Sequence, residues 1–179
     1  MRTAKHPEKQ PDLMHDKQAT PSTQSQIIVR HFERQDVTAL RQLMVELAVF
    51  ERYDDAFAVT EQDIIDRGLG NDPQFWALVA HVAGKPRDLL GMLVYYFIPY
   101  TYDLSPEMVV KELYVEAEAR GKRIGEQLML GAKDVARDAG CKRIKWLVLD
   151  DNERAKQFYA GLGAQKDEKW ENWRLVLSS

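Results

Sequence analysis

The sequence predicts an α/β domain with a mixed central sheet and crossover helices. Three observations predict it. Strand-length apolar runs alternate with stretches of helical periodicity in the order β-α-α-β-β-β-α-β-α-β. The runs at residues 75–82 and 89–98 are joined only by a turn around Gly84-Lys85-Pro86, as in an antiparallel hairpin. The runs at 108–115 and 144–149 are separated by a helix, as parallel neighbours must be. Both kinds of pairing in one chain imply a mixed sheet.

Residues 1–25 are rich in Lys, Gln, Pro, Thr and Ser and almost devoid of apolar side chains. Such a segment cannot offset its ordering entropy, so a disordered extension is expected there. A single domain is expected over residues 26–179. Ile27-Ile28-Val29 is a short β-branched strand. Asp36 reads as a helix N-cap, because Val37, Leu40, Leu43, Met44, Leu47 and Ala48 come after it at helical spacing. Thr60-Glu61-Gln62-Asp63 opens a second helix in the manner of a capping box, and Gly68, Gly70 and Asn71-Asp72-Pro73 close it. A loop with two tyrosines spans 99–106. A helix over about 125–139 carries Leu128, Met129, Ala132, Val135 and Ala136 on one face and stops at Gly140. Asp151 or Asn152 caps a short helix holding Ala155, Phe158 and Tyr159, and a terminal strand is expected over about 170–177.

Composition narrows the function. The chain has 179 residues, 45% hydrophobic and 30% charged, the profile of a globular protein. A formal net charge of -3 gives no footing for bulk nucleic-acid or membrane binding. No apolar run approaches a membrane span. The single cysteine, Cys141, excludes an internal disulfide framework and suits a reducing cytoplasm. It has no histidine near it in sequence, so a structural role is expected rather than a nucleophilic one. The four histidines are scattered, and no metal centre is expected.

The chemistry concentrates at Arg120-Gly121-Lys122-Arg123-Ile124-Gly125-Glu126, between a strand and a helix. Glycine lets backbone approach a ligand closely, and the free N–H groups of a helix start form an anion nest. The three basic side chains add charge suited to a diphosphate. The loop lacks the Walker Gly-Lys-Ser/Thr ending and the dinucleotide glycine spacing. Further on, Asn152 ends the next strand. Tyr159 lies seven residues later, about two helical turns, and so shares a face with it.

These features resemble the GNAT superfamily of acetyltransferases. Its cofactor motif is Arg/Gln-x-x-Gly-x-Gly/Ala, matched by Arg120 to Gly125 with Arg123 in place of the inner glycine. The resemblance narrows to the spermidine/spermine (diamine) N-acetyltransferases through Glu46-Leu47-Ala48, Phe50-Glu51, Thr60-Glu61-Gln62-Asp63, Tyr95-Tyr96-Phe97, Glu112-Leu113-Tyr114-Val115, Phe158-Tyr159, Gly163-Ala164 and Trp173-Arg174-Leu175. It implies a GNAT fold with a splayed strand pair at an acetyl-CoA site. It implies that Leu113, Tyr114 and Val115 pair with the pantetheine arm and that Gly121 to Glu126 hold the pyrophosphate. Asn152 and Arg154 would lie along the cofactor, and Tyr159 would stand at the thioester as general acid. Phe50, Glu51, Trp146, Leu147 and Glu171 would line the amine site with Glu112, and the Asp103 carboxylate is a further candidate for negative charge there. A cytoplasmic homodimer acetylating a small diamine or polyamine is expected. The alternatives are another amine, such as a thialysine-like amino acid or an aminoglycoside, or a catalytically silent acyl-CoA-binding module.

One departure concerns the base. The polyamine enzymes carry an acidic pair where this chain has Lys111-Glu112. Strand alternation predicts that these two side chains face opposite sides, so Glu112 cannot simply take over the role of the lost acid. Either Lys111 points away or the substrate is shorter or less charged than spermidine, with Glu51, Asp103 and Glu171 left to supply negative charge.

Overall fold

The computed structural model describes residues 26–177 apart from Tyr100 and Tyr102. The extension at 1–25 and the two loop tyrosines lie outside the described residues. The elements are β1 (Ile27–His31), α1 (Val37–Glu51), α2 (Glu61–Gly68), β2 (Trp76–Val82), β3 (Leu89–Ile98), β4 (Glu107–Val115), α3 (Ile124–Asp138), β5 (Ile144–Lys145) and α4 (Glu153–Gly161). The five strands lie in sequence order. Those from β1 to β4 are antiparallel neighbours, and β5 runs parallel to β4.

Alternation along the strands makes two cores, one on each face of the sheet. Val79, Met92 and Val94 pack with Leu40, Leu43 and Leu47 of α1 and Ile64 of α2. Their neighbours Leu78, Leu93 and Tyr95 pack with Ile124, Leu128 and Ala132 of α3. Leu40, Leu93 and Leu128 are fully buried. Each such side chain contributes about 1.5–3 kcal/mol, more than helix or strand propensity supplies at one position. The Thr60 capping box forms as expected: the Thr60 hydroxyl accepts from the Asp63 N–H at 3.1 Å and the Asp63 carboxylate from the Thr60 N–H at 3.0 Å.

The structure departs from the sequence reading in four places. Asp36 does not cap α1. Its carboxylate takes two bonds from Arg30, at 2.5 and 2.9 Å, and one from the Glu33 N–H at 2.7 Å, and a 3-10 turn leads into the helix instead. β5 is shorter than its apolar run, since it pairs with β4 only at Met108–Ile144 and Val109–Lys145. The expected terminal strand is absent among the described residues: Trp173 and Leu175 are each 86% exposed. With β5 ending at Lys145, this chain offers that segment little ordered edge to pair with.

The fourth departure is a β-bulge. Val94 of β3 pairs with Glu112 and Tyr95 pairs with Val110, so Lys111 has no partner across the ladder. In an unbroken strand Val110 and Glu112 would share a face. Here Val110 packs in the α3-side core, whereas Glu112 stands opposite Val94, which packs on the α1 side. The extra residue re-aims the side chains beyond it. Strict alternation therefore fails at Lys111-Glu112.

Candidate active site

Past Val109 and Lys145, β4 and β5 separate. A cavity of about 480 Å³ opens between them, walled by Val110 to Val115 on one side and by Trp146 to Leu149 on the other. The start of α3 closes one end, and α4 supplies Asn152, Arg154, Phe158 and Tyr159. Phe50 and Glu51, at the end of α1, reach the cavity from a third direction. α1 stops there because Arg52 takes a left-handed φ of 64° and the Tyr53 N–H bonds back to the Ala48 carbonyl at 2.9 Å.

The glycine turn sits at the cavity mouth. Gly121 has φ 79°, and a Cβ there would meet nothing within 4 Å, so the turn is open on that side. Its backbone conformation, rather than space, calls for glycine. Arg123 also lies in the left-handed region, with φ 60°, at the N-cap of α3. That explains why the related motif carries glycine at this position. The Arg123 side chain does not point at the nest. Its Nε and Nη2 both bond Glu126, each at 2.6 Å. Arg123→Gly is therefore expected to leave the Michaelis constant for an acyl-CoA within about twofold and to raise Tm slightly, because glycine relieves the left-handed strain. Thermal melts and steady-state kinetics check this; a large loss of cofactor affinity would show that the arginine contacts phosphate.

Arg120 turns inward. Its Nε donates to the Val115 carbonyl at 3.1 Å, and its guanidinium lies over the rings of Phe50 and Tyr114, at 5.1 and 5.5 Å. It thus ties the end of β4 to the end of α1. Asn152 caps α4, its Oδ1 accepting from the Ala155 N–H at 3.0 Å.

The titrating groups converge at the α1 end. Tyr159 is packed against Trp146 at 4.9 Å and Phe158 at 5.0 Å between ring centroids. Burial, reinforced by the charge of Glu51, pushes its phenol up to about 12. Burial likewise raises the Glu112 carboxyl; Lys111 opposes that shift and Glu51 adds to it. Glu112 Oε2 is buried without a protein hydrogen-bond partner. Tyr53 is also pushed up to about 12, by burial first and then by Glu112 and Glu51. Glu51 is the common electrostatic neighbour of all three.

Most of the residues singled out from sequence come to this cavity: Phe50, Glu51, Glu112 to Val115, Arg120, Gly121, Arg123 to Glu126, Trp146, Leu147, Asn152, Arg154 and Tyr159. Three do not line it. Lys122 is exposed on the turn. Asp103 accepts from the Ser105 hydroxyl at 2.5 Å and from Arg143 at 2.8 Å, and the Ser105 hydroxyl bond is the main cause holding its carboxyl down at about 2. It is committed to a structural network rather than to an amine. Glu171 stays in the exposed terminal run, accepting from its own neighbour Trp173 at 3.2 Å. Tyr53 does not line the cavity but stands behind it as an electrostatic neighbour of Glu112 and Glu51. Helical spacing gives no signal for it, since it comes just after the αL residue that ends α1.

The cleft is thus a sheet split beside a helix start, with ionisable groups gathered at its far end. The chain belongs to the Acetyltransferase (GNAT) family, whose profile matches residues 37–164. It is similar to the thialysine N-epsilon-acetyltransferase of Bos taurus, with 30% identity over 152 residues, covering 82% of this chain and 89% of that protein. It is also similar to the spermidine/spermine N(1)-acetyltransferase-like protein 1 of Homo sapiens, with 30% identity over 153 residues, covering 82% of this chain and 22% of that longer protein. Among solved structures, an integron cassette protein from the mobile metagenome of V. cholerae superposes with a TM-score of 0.69 at 26% identity, covering 84% of this chain and 92% of that one.

Acetyl-CoA is the acyl donor of the family, and the cleft fits it. The edge of β4 from Val110 onward is free of strand partners on the β5 side, and the open turn at Gly121 leads to the α3 N-terminus. Among the described residues no helix is long and apolar enough to cross a membrane.

Proposed function

We propose that this protein transfers an acetyl group from acetyl-CoA to the primary amine of a small diamine, polyamine or amino acid by direct attack. Glu112 serves as base, and the Tyr159 hydroxyl serves as hydrogen-bond donor to the sulfur, which departs as a thiolate. The observation that carries the reading is the split between β4 and β5, which sets Glu112 and Tyr159 in the walls of one cleft leading to the glycine turn. The names of the relatives support an amine acceptor of this kind.

The cofactor supplies an acetyl thioester, whose sulfur is the leaving group. The backbone of Leu113 to Val115 would hold its pantetheine arm, and Gly121 to Glu126 its pyrophosphate. Asn152 and Arg154 would flank it. An amine of pKa about 10.4 is neutral in only about one molecule in a few thousand at pH 7, a penalty of about 4–5 kcal/mol. Glu112, less acidic than an exposed carboxyl, is suited to take that proton. Tyr159 stays protonated at neutral pH. Full transfer from a phenol near 12 to a thiolate near 8.5 is uphill by about 3–4 pH units, or about 5 kcal/mol. Its hydroxyl therefore acts chiefly as a hydrogen-bond donor to the departing sulfur.

Thiol release from acetyl-CoA across a panel of diamines, polyamines, amino acids and an aminoglycoside tests the reading. Turnover of small amines supports it. Cofactor binding with no turnover of any amine would make the protein an acyl-CoA-binding module instead.

We also propose a cytoplasmic homodimer. The exposed side chains of Trp170, Trp173, Leu175, Val176 and Leu177 support association. A monomer mass in sedimentation equilibrium at micromolar concentration would overturn it.

A further inference from the structure

The acceptor end of the cleft holds an ion that the proposed chemistry does not use. Lys111 is the bulged residue of β4, exposed and without a cross-strand partner, and it contributes to the cavity wall next to Glu112. Its charge reaches Glu112. Among the described residues its ammonium forms no ion pair, whereas other lysines near carboxylates, such as Lys145 with Glu107 at 3.3 Å and Lys156 with Glu153 at 2.7 Å, do. The bulge thus places a cation beside Glu112, in the wall of the cavity that Glu51 also lines.

That charge pattern is a poor match for a polycation. A polyamine brings only ammonium groups, so it can match the two carboxylates but leaves Lys111 beside further cations with no counter-charge. An α,ω-diamino acid brings two ammonium groups and one carboxylate, against two carboxylates and one ammonium in the wall. We infer that Lys111 is a specificity-determining residue that pairs with a carboxylate on the acceptor, so that the preferred substrate is an amino acid with a terminal side-chain amine. The bulge has a purpose in this arrangement. It turns Glu112 toward Glu51 and Tyr53 while leaving Lys111 at the rim, so that the reacting amine and the carboxylate of one small molecule meet groups adjacent in sequence. The inference rests on the reading that Glu112 marks the acceptor end.

Matched pairs test it: lysine against cadaverine, ornithine against putrescine, and thialysine against its decarboxylated form. Each pair differs only by the carboxylate. The wild-type protein is expected to favour the carboxylated member in kcat/KM by roughly tenfold to a hundredfold, the range of one hydrogen-bonded charge pair. Lys111→Gln should collapse that ratio by raising KM for the amino acid, and Lys111→Glu should invert it. Lys111→Arg should keep it, which separates charge recognition from an effect on folding. A ratio unchanged in Lys111→Gln, or a wild-type preference for the decarboxylated members, would overturn the inference. Turnover confined to unrelated amines would sink it while leaving acetyl transfer standing, whereas no turnover of any amine would remove both.

Discussion

Tyr159→Phe is expected to lower kcat by about 10²–10³, with the Michaelis constant for acetyl-CoA and the melting temperature nearly unchanged. The substitution removes one oxygen. The ring keeps its contacts with Trp146 and Phe158, which hold the α4 face against the cleft. The loss is confined to a hydroxyl that burial keeps protonated far above neutral pH, up to about 12. Because the donor does not titrate in the working range, its removal should scale the whole pH–rate curve down without moving its limbs. A parallel fall of kcat and kcat/KM is the signature of an interaction made only in the transition state. Near-normal turnover, or a basic limb near pH 10 that disappears in the variant, would refute the assignment.

The sequence made some parts of this fold legible and hid others, for identifiable reasons. α1, α2 and α3 were readable because each buries one periodic face, as Leu40, Leu43 and Leu47 do. The β2–β3 pair was readable because both strands are apolar and joined by a short turn. Features set by pairing partners were not. Ile144 to Leu149 is uniformly strand-like, yet pairing ends at Lys145 because β4 diverges. The terminal run has strand composition, but among the described residues it pairs with no strand edge. Asp36 has the right residue type and position for a cap, but a stronger partner, Arg30, takes its carboxylate.

The site shows the same division. Local chemistry located the glycine turn, Asn152 and Tyr159, because backbone conformation and helical spacing are local properties. Arg123 shows the limit of that reading: its basic character pointed to a phosphate, while its guanidinium is closed on Glu126. Asp103 is a candidate for its charge and Glu171 by likeness, but this chain's own neighbours claim both, Ser105 and Arg143 for one and Trp173 for the other. The bulge at Lys111 could not be read at all. A bulge depends on which residue of β3 faces which residue of β4, and one extra residue changes every later orientation.

That bulge is why Glu112 carries the second large prediction. Glu112→Gln is expected to lower kcat/KM for the amine by about 10²–10⁴, the range for loss of a positioned general base. Binding of acetyl-CoA should persist, since Glu112 stands at the acceptor end. The wild-type acidic limb of kcat/KM should lie above the ordinary carboxylate range, because burial raises the Glu112 carboxyl and the opposing Lys111 charge does not cancel it. In the variant that limb should vanish. Stability should move the other way. A carboxyl whose folded pKa is raised favours the folded state most when protonated, below its unfolded pKa, and loses that advantage as pH rises through the folded pKa. At neutral pH Glu112 is thus a buried charge with an oxygen lacking a protein partner, and glutamine replaces it with a neutral group of the same shape. Tm of Glu112→Gln should exceed that of the wild type near pH 8 and converge with it near pH 4. Lower activity in a more stable protein would exclude unfolding as the cause of the loss. A variant that is equally active, or whose Tm falls at pH 8, would remove Glu112 from the role of base.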